Sequence, residues 1–136
     1  MASYGLPTPT PAVDVETEEF WTATASGRLL LKRCDSCGLV IWYPKSLCPS
    51  CHSTSTSWFE AGGDGTVYSF TVSRRGEGPY REAAPFVLAY VELDEGPRLM
   101  TNIVDCDVDS VRIGQRVRVV FDDTGEGNAL IRFTPA

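Results

Sequence analysis

Four cysteines carry the clearest chemical signal in this 136-residue chain. Cys34-Asp35-Ser36-Cys37 and Cys48-Pro49-Ser50-Cys51 form two C-x-x-C pairs with ten residues between them. Two residues between thiolates let one tight turn aim both sulfurs at a single ion. Two such knuckles complete a tetrahedron of the kind zinc accepts at about 2.3 Å per sulfur. Gly38 follows the first pair directly, where the turn favours a residue without Cβ. Four sulfurs close the coordination sphere and leave no position for water, so the site has no Lewis-acid role. Two other readings of these cysteines stand beside the structural one. They are a pair of disulfides or a redox pair, and an electron-carrying iron site of the rubredoxin type. The second knuckle has His52 where an iron site favours glycine, and His52 reads as a solvated neighbour rather than a ligand.

The remaining reactive side chains do not assemble into catalytic machinery. Cys106 has no base nearby in sequence, since the single histidine lies in the cysteine segment, and it reads as a small, semi-buried apolar residue. Asp105, Asp107 and Asp109 alternate along a connector in the manner of a solvated edge. There is no G-x-G-x-x-G or P-loop pattern. One loop departs from the acidic average: Arg74, Arg75 and Arg81 sit among Gly76, Gly78 and Tyr80. It reads either as a solvated loop or as a contact for an anionic ligand such as a phosphate group. Tyr68, Phe70, Phe86 and Tyr90 invite a base-stacking reading, but barrel core is the expectation for them.

These residues need elements to hold them. The composition, 43% hydrophobic and 22% charged, is that of a folded chain and too apolar for disorder. Residues 1–13, with Pro7, Pro9 and Pro11, read as a mobile, extended tail. Residues 14–27 read as a short helix with Asp14 as its cap, acidic residues in its first turns and Gly27 at its end. Such a helix is marginal alone and needs a surface to pack on. Residues 28–61 hold both cysteine pairs among three short β-type runs, 29–33, 39–43 and 57–60, too short to build a core without a metal. From residue 62 to 136 the pattern is all-β. Strands are expected at 66–73, 86–93, 98–104, 116–121 and 129–133, and Thr66, Tyr68, Phe70 and Val72 share one face of the first. Five strands in this span fit a small Greek-key barrel such as an OB-fold. The expected class is therefore mainly β: a short N-terminal helix, a four-cysteine rubredoxin-like zinc ribbon and a five-stranded OB-fold barrel. No apolar run is long enough to span a bilayer, and the first residues lack the pattern of a signal peptide, so a cytoplasmic location is expected. The net charge of −6 disfavours a nucleic-acid partner, because phosphate contacts drive most of that affinity.

The order of these segments resembles the acyl-CoA-associated zinc-ribbon/OB-fold family, long catalogued as a domain of unknown function. The resemblance rests on Glu19-Phe20-Trp21, Gly27-Arg28-Leu29, Arg33 to Gly38, Tyr43-Pro44, Cys48 to Cys51, Gly65 to Val72, Pro85 to Ala89 and Ile113 to Val117. It implies a partnership with thiolase-superfamily enzymes, lipid-transfer-type thiolases among them, or with hot-dog-fold hydratases, and a share in an acyl-CoA site or channel. Related domains pair with a thiolase-like aldolase in steroid side-chain degradation and bridge a thiolase and a synthase in archaeal isoprenoid synthesis. Members fused to a hydratase are longer than this chain, so the resemblance implies a free-standing subunit.

The expected function is a non-catalytic accessory subunit of a thiolase-like acyl-CoA enzyme, with structural Zn2+ on Cys34, Cys37, Cys48 and Cys51. Phe20, Trp21, Trp42 and Tyr43 are the expected contacts to the partner in a hetero-oligomer, and Arg74, Arg75 and Arg81 the expected contacts to acyl-CoA phosphates. The alternatives are a nucleic-acid-binding zinc-ribbon/OB module and a rubredoxin-like electron carrier.

Overall fold

The computed structural model describes residues 4–136; the first three residues of the expected tail lie outside the described residues. The helix, α1, runs Glu18–Thr24, shorter than expected at its start. Asp14 and Thr17 account for the difference. The Thr17 N–H donates to Asp14 Oδ1 (3.0 Å) and the Asp14 N–H to Thr17 Oγ1 (3.1 Å), a reciprocal turn that precedes the helix. At the other end Gly27 takes φ +70° and Arg28 N–H reaches back to Ala23 O (3.1 Å), which satisfies a terminal carbonyl.

The ribbon is a three-stranded antiparallel sheet of β1 (Leu30–Cys34), β2 (Val40–Ile41) and β3 (Thr56–Glu60), in the order β2-β1-β3. The second part is a closed five-stranded barrel of β4 (Asp64–Ser73), β5 (Phe86–Leu93), β6 (Arg98–Ile103), β7 (Arg116–Asp123) and β8 (Ala129–Pro135), in the order β4-β5-β6-β8-β7. The β6–β8 closure is the weakest join, a single parallel pair at Ile103 and Phe133. Ribbon and barrel share one hydrophobic core: Phe20, Leu29 and Leu31 belong to the same buried cluster as Val67, Val87, Val91, Val117 and Phe133. A polar clamp reinforces the joint, because Glu95 in the β5–β6 turn accepts the N–H of Gly62 between the two sheets (2.9 Å).

Three expectations are corrected. The face assigned to β4 fails at Tyr68, where a bulge between Val67 and Ser69 slips the register against β5. An extra residue inverts the alternation beyond it, so Gly65 and Val67 point inward before the bulge and Phe70 and Val72 after it, while Tyr68 is exposed. Tyr90 also faces out, so neither tyrosine belongs to the barrel core. At residues 6 and 7 the proline-rich tail is held against the barrel. Leu6 is buried, and the Pro7 carbonyl accepts from Arg132 Nη2 (2.8 Å). The cause is a buried charge: Arg132 and Asp122 form an interior ion pair (3.2 Å), Asn102 accepts a second guanidinium bond, and Pro7 supplies the third acceptor.

Candidate metal centre and flanking surfaces

Each knuckle is built by a turn whose last residue takes a left-handed conformation. Gly38 (φ +79°) donates its N–H to Cys34 O and His52 (φ +63°) donates its N–H to Cys48 O, both at 2.9 Å. His52 therefore occupies the backbone role of Gly38 and is not among the clustered ligands. The two knuckles face each other: Cys34 Sγ lies 3.5 Å from Cys51 Sγ, Cys37 Sγ lies 3.7 Å from Cys48 Sγ, and all four sulfurs fall within 4.8 Å of one another. A tetrahedron with sulfurs about 2.3 Å from its centre has edges of about 3.8 Å, so one tetrahedral ion fits this cage. Cys34 and Cys48 are buried, whereas Cys37 and Cys51 are exposed.

The thiols sit in unequal fields. The N–H of Cys37, aimed at its sulfur, holds Cys34 down at about 6, against burial, which opposes ionisation. The N–H of Cys51 lowers Cys48 in the same way. Cys37 is raised: the N–H of Leu39 holds it down, but burial and the neighbouring sulfurs outweigh it. Cys51 is pushed up to about 12, because the neighbouring thiols and burial outweigh the N–H of Ser53. Asp35 braces the first knuckle to β3 by accepting from Ser55 Oγ (2.9 Å) and Ser57 Oγ (2.8 Å). The result is a cage that brings four cysteine sulfurs within reach of one ion.

Two surfaces flank this frame. The first is an apolar groove of about 270 Å³ where α1, the ribbon and the barrel meet, walled by Trp21, Trp42, Tyr43, Leu88, Met100 and Ile131. The Trp21 indole N–H donates to the Tyr43 hydroxyl (2.6 Å), which fixes the aromatic wall. Phe20 is corrected here. It has no exposed surface and packs edge-on against Trp21, Trp42 and Tyr43, so it supports the groove from beneath and cannot touch a partner. The second surface is an open, polar cleft of about 700 Å³ that brings together Arg74, Arg75 and Arg81. Arg74 is already ion-paired with Asp109, an exposed contact of small energetic weight.

The other singled-out residues have plain roles. Cys106 is half-buried against the core, and its thiol is raised by burial and by Asp107 and Asp105. Asp107 caps the short 3-10 helix Val108–Ser110 through the N–H of Asp109. Sequence reasoning missed Leu88 and Met100, which are exposed at 38% and 61% and extend the groove across the barrel. Their signal was present: both stand at outward positions of alternating strands, where an apolar residue has no core to fill. Among the described residues, no helix is long and apolar enough to cross a membrane.

Comparison with known proteins agrees with this architecture. Residues 21–57 match the family model described as the ChsH2 rubredoxin-like zinc ribbon domain, and residues 58–122 match the ChsH2 C-terminal OB-fold domain. A probable enoyl-CoA hydratase alpha subunit of Thermomonospora curvata is 35% identical over 128 residues, 94% of this chain but only 40% of that protein. A DUF35 domain-containing scaffold protein of Methanothermobacter thermautotrophicus is 37% identical over 90 residues, 65% of this chain and 68% of its own length. Among solved structures, a chain of an Ltp2-ChsH2(DUF35) aldolase superposes with a TM-score of 0.82 at 34% identity, covering 93% of this chain and 98% of that one. With both family models matched in sequence over residues 21–122, the chain belongs to the ChsH2/DUF35 family of zinc-ribbon/OB-fold proteins.

Proposed function

We propose that this chain is a non-catalytic accessory subunit of a thiolase-superfamily acyl-CoA enzyme, of the aldolase kind that acts on steroid or other lipid side chains. The carrying observation is an aromatic groove open to a partner, set beside a metal cage that has no open position. Zinc is the ion this donor set favours; when bound it supplies a cross-link and a folding free energy, and no activated water. Cys34, Cys37, Cys48 and Cys51 would hold it, the shared core fixes the ribbon on the barrel, and Trp21, Trp42 and Tyr43 present a preset face to the enzyme subunit. Arg74, Arg75 and Arg81 face the acyl-CoA phosphates, with Arg75 and Arg81 supplying the charge that Asp109 does not neutralise. The names of the aldolase and hydratase relatives support this reading.

Co-purification with the companion enzyme tests it. Trp21→Ala should weaken the complex at least tenfold while the barrel stays folded. Arg74→Glu with Arg75→Glu should impair use of the CoA ester without dissociating the complex. Robust turnover by the isolated chain, lost on a point substitution within it, would overturn the accessory role. The exposed Tyr68 and Tyr90 favour one second reading, single-strand nucleic-acid stacking. Salt-dependent binding of an oligonucleotide would support it, against the −6 charge of the chain.

A further inference from the structure

Lys32 stands in the middle of β1 with only 9% of its surface exposed. Long cations so deeply placed are normally paired with a carboxylate. The ion pairs among the described residues are made by Arg28, Arg74, Arg98, Arg116 and Arg132, and none includes Lys32. Its Nζ donates instead to Thr56 Oγ1 (3.2 Å) and lies 4.8 Å from the centre of the Trp58 ring. A hydroxyl and a ring face orient a cation, but neither neutralises it.

The strand register shows where a counter-charge lies. Residues two apart on a strand share a face, so Lys32 and Cys34 project from the same side of β1. On that side Lys32 is flanked by Ile41 of β2 and Trp58 of β3, and Cys34 stands opposite Thr56. The threonine that holds the ammonium is therefore the cross-strand partner of a cage residue. Facing Cβ atoms in such a pair are about 4.5–5.5 Å apart, which places the ammonium within about 10 Å of the Cys34 sulfur. Ile41 continues the same wall, because it packs with Cys34 and Cys48 in one buried cluster. The other charges near the first knuckle are engaged elsewhere. Arg33 lies over the Phe59 ring (4.6 Å) on the opposite face, and Asp35 accepts from Ser55 and Ser57.

We infer that Lys32 is the counter-charge of the metal–thiolate cage and a determinant of its affinity. The role rests on the cage and is independent of the companion enzyme. Thiols that coordinate an ion are deprotonated, so four of them around a divalent ion leave a double negative charge. Cys37 and Cys51 are exposed and can shed their share of it into water. Cys34 and Cys48 are buried, and Lys32 is the cation that β1 directs toward their side of the ribbon. Thr56 is the positioning residue that aims it.

Chelator competition on the zinc-loaded full chain tests this. Lys32→Met keeps a long apolar stem between Ile41 and Trp58 and removes the charge, Lys32→Gln removes the charge but keeps a polar end, and Lys32→Arg keeps the charge. Zinc affinity should fall about tenfold in the two neutral variants and by less than about threefold in the arginine variant. The cobalt(II) forms of all three should keep the thiolate absorption of a four-sulfur site. Neutral variants that hold zinc as tightly as wild type overturn the role. An arginine variant that loses as much affinity as the methionine variant also overturns it, since packing and not charge then governs the cage. A changed cobalt spectrum in the neutral variants would mean a rebuilt ligand set and would overturn a purely electrostatic effect. A wild-type chain that binds no zinc overturns the cage, and the role with it.

Discussion

Phe20→Ala should cost the isolated chain more than any other single change in α1. Phe20 is fully buried and is the helix's main contribution to the core shared by ribbon and barrel. A buried aromatic removes about 150–250 Å² from water, which at about 25 cal/mol per Å² sets an upper bound near 4–6 kcal/mol. Alanine keeps the Cβ, and part of the cavity relaxes. The edge-on contacts with Trp21 (4.9 Å between centroids), Trp42 (5.5 Å) and Tyr43 (5.9 Å) are lost together and do not add independently. The expected cost is about 3–5 kcal/mol. For a chain of 136 residues the unfolding entropy is near 0.3 kcal/mol per degree, so the melting temperature should fall by about 10–17 °C. Thermal and urea melts of the metal-loaded chain, followed by tryptophan fluorescence, read this directly, since Trp21 and Trp42 report on the joint. Trp21→Ala, at a partly exposed position, should cost less. A shift below about 3 °C for Phe20→Ala, together with weakened partner binding, would refute the argument and return Phe20 to the interface.

Elemental analysis should find one zinc ion per chain. Cys48→Ser should abolish it and unfold the ribbon before the barrel, because metal binding at such a cage is largely folding free energy; a metal-free chain with full ribbon structure would contradict this. His52→Gly should retain the metal and leave stability unchanged or slightly raised, since it relieves a side chain held at φ +63°; loss of the ion would make His52 a ligand after all. Gly65→Ala should destabilise by about 1–3 kcal/mol in denaturant titration, because the added Cβ would sit 2.8 Å from Glu92 O and 2.7 Å from Val91 Cγ1 where β4 and β5 press together.

Local patterns were legible in the sequence. Phe86–Leu93 was expected with its observed limits, because alternating side chains write a half-buried strand plainly and Glu95-Gly96-Pro97 ends it. The cysteine spacing announced the cage because a knuckle is a local turn. Relations between distant segments were not written locally. The bulge at Tyr68 depends on how β4 coils against β5, and no residue type marks it. Phe20 looked like an interface anchor because an isolated short helix offers no hint of what lies beneath it, and its burial comes from β-strands far along the chain. Nothing local marks Arg132 and Asp122 for the interior, because their pairing inside the barrel depends on Asn102 and on a carbonyl from the proline-rich start.

The bond from Arg132 to Pro7 joins residues 125 positions apart and has a consequence for synthesis. During synthesis the Pro7 carbonyl emerges long before the guanidinium that binds it, so this early segment stays uncommitted until Arg132 follows. Until then Asp122 also lacks its counter-ion. The strand β8 therefore does more than close a sheet: it delivers the charge that seats a segment made well before it.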